Sequence, residues 1–99
     1  MDIYEQDNRE TQIEGVEEFA RAQARSKITG AIELHKENLA KCDGVIDMMI
    51  IGYEQTRDLT DEEGVKICDF YKREATKWVD RKKQTRAYLE KARQELFFV

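Results

Sequence analysis

Two stretches of this chain space their inward-type residues in steps that alternate four and three. Positions 28, 32, 35, 39, 42, 46, 49, 53 and 56 read Ile, Ile, His, Leu, Cys, Ile, Met, Tyr and Thr. Positions 68, 71, 75, 78, 82, 85, 89, 92, 96 and 99 read Cys, Tyr, Ala, Trp, Lys, Thr, Leu, Ala, Leu and Val. A mean step of about 3.5 residues is the signature of a helix that buries one narrow seam against a partner helix. Two such seams joined by the polar run Thr56-Arg57-Asp58-Leu59 describe an antiparallel helical hairpin. The expected class is therefore all-α and coiled-coil-like, with two long helices and a short N-terminal helix. Such a chain closes either as a three-helix bundle or as a dimeric four-helix-type bundle.

Composition supports long helices. The chain of 99 residues has no proline, so the commonest helix breaker is missing. Charged residues make up 38% and hydrophobic ones 40%, enough apolar content for a folded single domain. No apolar run approaches the roughly 18 residues of a membrane span, and Met1-Asp2-Ile3-Tyr4-Glu5 does not read as a signal peptide. A cytoplasmic location is the expectation.

The boundaries follow from local chemistry. Residues 1–10 form a polar, acidic segment in which Asp7-Asn8 could cap a helix, and residues 11–99 form the helical domain, with helices over about 11–26, 29–57 and 60–96. The first is marked by Ile13, Val16, Phe19, Ala20 and Ala24 on one face, behind the acidic Glu14, Glu17 and Glu18. Near Ser26 to Gly30 the apolar phase drifts, and Thr29-Gly30 is the weakest helical pair. The chain either breaks there or runs on unbroken to about Arg57. An unbroken helix implies a dimer, because a two-helix hairpin cannot cover Phe19, Leu34, Ile50, Ile51 and Phe70 as well as its seam. Thr60-Asp61-Glu62-Glu63 reads as a capping box opening the last helix. Gly44 and Gly52 lie inside the preceding helix, each costing about 1 kcal/mol of helix propensity unless a neighbouring helix comes close. From Val45 to Ile51 the apolar residues surround the helix, which points to burial on more than one side.

Pairing the seams about the turn sets Cys42 opposite Ala75, Cys68 opposite Met49, and His35 opposite Lys82. The cysteines are then too far apart for an intrachain disulfide and read as small hydrophobes. His35, the only histidine, has no ligand cluster at metal spacing, so a partly buried, hydrogen-bonded imidazole near a polar seam break is expected. Asp43 and Asp47 are explained as salt-bridge partners of Arg73 and Lys77. No glycine-rich phosphate loop and no nucleophile–base arrangement occurs, so no enzyme activity, metal or cofactor is expected.

Two modes of action remain, both of them binding. Charge is segregated: residues 1–20 carry net −6, 21–41 net +3, 42–63 net −6 and 64–99 net +5. A protein-binding regulator or inhibitor would act stoichiometrically through Phe97, Phe98 and Val99 and through Met48 and Ile51 in the apolar girdle. Small acidic helical proteins of this type suit a phage or mobile element, and a homo-oligomer is expected. The alternative is a nucleic-acid-associated protein that uses Lys72, Arg73, Lys77, Arg81, Lys83 and Arg86 on the last helix. Glu74 and Asp80 interrupt that ridge, and the pI of about 5.1 weighs against it. The length and hairpin shape match the secreted WXG-type proteins, but their Trp-x-Gly turn is absent, so no family is assigned.

Overall fold

The computed structural model describes the backbone of residues 3–99 and the side chains of residues 14–99. It is an all-α antiparallel hairpin of two helices, α1 (Ile3–Thr56) and α2 (Glu62–Phe97). The molecule is a rod, 89 Å long and 16 by 14 Å across.

The break considered at Ser26 to Gly30 does not occur. Thr29 and Gly30 lie within α1, which runs continuously, so there is no separate helix over 11–26 and no three-helix bundle within one chain. The drift of the apolar phase there has another cause: the apolar side of one continuous helix moves round its circumference. Helix also begins earlier than expected, at Ile3, inside the polar, acidic segment 1–10. A cap at Asp7-Asn8 would involve side chains outside the described residues.

The seam residues behave as their spacing predicts. All nine seam positions of α1 from Ile28 to Thr56 are buried or half-buried, and those of α2 from Cys68 to Val99 are too, except the exposed Leu96. Ile32, Leu89 and Ala92 form the centre of the packed cluster, with Ile28 and Leu39 against it. The core is thin, because two helices in contact have only one shared face; no side chain in it is less than 2% exposed.

The register differs from the expected pairing by nearly one heptad. Asp43 pairs with Lys82, His35 stacks against Tyr88, and Tyr71 lies over Gly52. Expected partners such as His35 with Lys82 are therefore not opposite each other. The cause is the turn. The Thr56 hydroxyl donates to the Gly52 carbonyl at 2.8 Å, and the Arg57 amide donates to the Tyr53 carbonyl at 2.9 Å, so helical hydrogen bonding runs on to Arg57 before the chain reverses, and α2 starts only at Glu62. Leu59 then folds over Gly64, where a Cβ would lie 2.5 Å from the Cβ of Leu59. The close approach requires glycine at that position. The N-cap of α2 is Asp61, with extended backbone and no side-chain cap hydrogen bond, so the capping box of Thr60 and Glu63 is not formed. Glu62 and Glu63 do stand in the first turn, where the helix dipole favours them.

At the open end, the Arg25 Nε donates to the Val99 carbonyl at 2.9 Å, which fixes where α2 stops along α1. From Ile3 to Ala24, α1 continues alone for roughly 33 Å at 1.5 Å per residue. Glu14 to Gln23 are all exposed. No described helix is long and apolar enough to cross a membrane.

Candidate protein-binding surfaces

The residues marked in the sequence as protein-binding fall into two groups that the fold keeps apart. Phe97 and Phe98 close α2 and are 90% and 89% exposed. They stand free because they fall between the seam positions Leu96 and Val99, where α2 ends and the Phe98 amide caps back onto the Glu95 carbonyl at 3.1 Å. Arg93, Leu96 and Phe97 line a shallow hollow of about 280 Å³ beside them. Val99 differs from its neighbours. It is half-buried, and its carbonyl is engaged by Arg25.

Met48 and Ile51 are exposed, as are Leu34, Ile50 and Phe70. The girdle expected from Val45 to Ile51 thus splits. Ile46 is buried and Val45 and Met49 are half-buried toward α2, while Met48, Ile50 and Ile51 face outward. Gly52, a turn from Met48, lies against Tyr71. From Tyr71 to Phe97 along α2 is about 39 Å, so one small partner domain cannot use both groups in the same way.

Gly52 and Gly44 were read alike, and the structure separates them. A Cβ on Gly52 would come within 2.6 Å of three atoms of the Tyr71 ring, whereas a Cβ on Gly44 would meet nothing within 4 Å. Only Gly52 permits a close helix contact.

The basic residues Lys72, Arg73, Lys77, Arg81, Lys83 and Arg86 are all exposed. At about 100° per residue they do not form one ridge: Arg73, Lys77 and Arg81 follow one flank of α2, and Lys72, Lys83 and Arg86 the other. The Arg81 guanidinium lies over the Trp78 ring at 4.6 Å from its centroid, a cation–π contact that holds it against the hairpin.

His35 is half-buried, and its ring centroid is 5.9 Å from that of Tyr88; no side-chain hydrogen bond to it is found among the described residues, contrary to the expectation. Ala31, His35, Tyr88, Lys91, Ala92 and Glu95 line a groove of about 380 Å³ between the helices. Residue spacing alone does not mark this groove, because it depends on register: Tyr88 comes beside His35 only in the observed alignment of the two helices. Among the described residues no three His, Cys, Asp or Glu side chains gather as a metal site. Asp43 is held by Lys82 instead of Arg73 or Lys77. Arg21 with Glu17 at 3.5 Å and Lys66 with Glu62 at 3.4 Å are exposed pairs within one helix, each worth about 0.3–0.5 kcal/mol, and Arg57 with Asp58 at 4.0 Å is an exposed pair in the turn. Cys42 is buried, Cys68 half-buried, and both are free thiols.

No family model matches the chain, and neither a curated protein nor a solved structure matches it.

Proposed function

We propose that the protein acts by binding another protein stoichiometrically, as a regulator or inhibitor, with the contact centred on Phe97 and Phe98. The observation that supports this is the exposure of two adjacent phenylalanines, each about nine-tenths uncovered, at the end of a rigid helix. Burying a phenylalanine side chain is worth about 1.5–3 kcal/mol, so the pair alone supplies energy on the scale of an interface hot spot. The end of α2 and the Phe98–Glu95 hydrogen bond position the backbone of both residues before any partner arrives, which lowers the backbone part of the ordering cost of association. The hollow formed by Arg93, Leu96 and Phe97 offers an apolar floor with one charge at its rim, suited to a partner helix that carries an apolar side chain and a carboxylate.

The test is recovery of a partner from a lysate of the native cells with tagged protein, with and without nuclease, in parallel with the Phe97→Ala/Phe98→Ala variant. The reading expects one protein in a fixed ratio, retained after nuclease treatment and lost with the variant. Recovery that disappears with nuclease would shift the function to the basic flanks of α2, and retention by the alanine variant would remove Phe97 and Phe98 from the site.

A further inference from the structure

The geometry points to a second copy of this chain as the occupant of the uncovered N-terminal part of α1, in an antiparallel dimer whose two-fold axis passes between residues 23 and 24. Three observations converge on this arrangement.

The first is a second apolar stripe on α1, away from the seam. Positions 13, 16, 20, 24, 27, 31 and 34 read Ile, Val, Ala, Ala, Lys, Ala and Leu, with a mean step of about 3.5 residues. Val16 is 68% exposed and Leu34 54%, so the hairpin leaves both of these uncovered. Six of its seven positions map onto one another under an antiparallel two-fold between residues 23 and 24, and the seventh, Ala24, falls level with Gln23, one position off the stripe. Two copies laid antiparallel set position 13 level with 34, 16 with 31 and 20 with 27, and each pairing occurs twice, as a two-fold interface demands.

The second is the point at which α2 stops. The Arg25–Val99 hydrogen bond sets the end of α2 level with Arg25. In the proposed pairing, Arg25 stands level with Ala22 of the second copy. The two α2 helices therefore finish about 5 Å apart along the axis and do not overlap. The exposed run of α1 in each copy fills the space beside the other copy's hairpin, giving three helices in cross-section along each half. The length of α2 thus leaves room for the register that the stripe selects.

The third is charge. Residues 3–20, net −5, come alongside residues 81–99 of the second copy, in which Arg81, Lys82, Lys83, Arg86, Lys91 and Arg93 outnumber Glu90 and Glu95. The groove lined by Ala31, His35, Tyr88 and Lys91 opens beside this path. Opposite charge along the contact favours the antiparallel arrangement and disfavours a parallel one, which would set acidic block beside acidic block.

The test combines mass with a register-specific cross-link. Sedimentation equilibrium of the full chain should give twice the chain mass of 11.7 kDa. With Cys42→Ala and Cys68→Ser as background, Ala24→Cys should form a disulfide-linked dimer under mild air oxidation, because residue 24 lies half a residue from the two-fold axis and stands within about 2 Å, along the helix axis, of residue 24 in the second copy. Met48→Cys, exposed but far from the axis, should not. Val16→Glu with Leu34→Glu should weaken dimerisation by roughly tenfold or more, while Met48→Glu should not. A wild-type chain that sediments at 11.7 kDa at all concentrations overturns the proposal, as does a dimer cross-linked through Met48→Cys and not through Ala24→Cys.

Discussion

Gly52 and Gly44 both sit inside α1, and replacing them with alanine should have opposite consequences. In an exposed helix interior Gly→Ala gains about 1 kcal/mol of helix propensity. Gly44 has open space where a Cβ would project, so Gly44→Ala should realise that gain. At Gly52 a Cβ would lie 2.5 Å from Tyr71 Cε1 and 2.6 Å from Cδ1 and Cζ. Carbon atoms pack best at about 3.5–4.0 Å, so the Tyr71 ring must move by about 1 Å, and overpacking of this kind costs about 1–3 kcal/mol. The propensity gain offsets about 1 kcal/mol of that, leaving Gly52→Ala neutral to about 2 kcal/mol destabilised. For a chain of this size, 1 kcal/mol corresponds to about 4–8 °C in melting temperature. Thermal unfolding followed by circular dichroism at fixed protein concentration should put Gly44→Ala above the parent and Gly52→Ala at or below it. The two variants should differ by at least about 4 °C. In a Tyr71→Ala background the penalty at Gly52 should vanish, giving a coupling of about 1–3 kcal/mol. Equal stabilisation by both alanines would refute the contact, and with it the register that sets Tyr71 on Gly52.

Three further outcomes follow from the same packing. Lys82 occupies a seam position with its side chain 29% exposed, while its partner Asp43 is 53% exposed, so the pair contributes at most about 1 kcal/mol; Lys82→Leu should raise the urea midpoint, and a fall would show a stronger pair. Cys68 should react with a thiol reagent well before the buried Cys42 in the folded protein, with two thiols titrated after unfolding; one or no thiol would reveal a disulfide. Thr60→Ala should change stability by less than about 0.5 kcal/mol, because no capping box forms; a loss of about 1 kcal/mol would restore Thr60 as the cap.

The seams were legible because burial along a helix is periodic, and each residue from Ile28 to Thr56 with the right spacing does turn inward. Register was not. A seam of mixed Ile, Leu, Cys and Tyr accepts several alignments, and the choice rests on Leu59 closing over Gly64 and Tyr71 over Gly52, contacts across the turn that no periodicity records. The phase drift around Ser26 was visible, but a change in which side of α1 is apolar produces the same pattern as a break. Met48 and Ile51 were recognisable as surplus apolar residues, and Phe97 and Phe98 as a tail; their separation along the rod could be read only after α2 was aligned. The groove beside His35 depended on the same alignment.

The continuity of α1 underlies the exposed N-terminal run and everything built upon it. Spin labels at Phe19→Cys and Glu37→Cys, in a chain free of its native thiols and diluted into excess unlabelled protein, measure it directly by pulsed dipolar spectroscopy. Five full turns separate the two sites, so an unbroken helix predicts a single narrow distribution near about 27 Å between backbones. A population near about 10 Å, the spacing of two packed helices, would show that α1 folds back at Ser26 to Gly30 and would contradict the account.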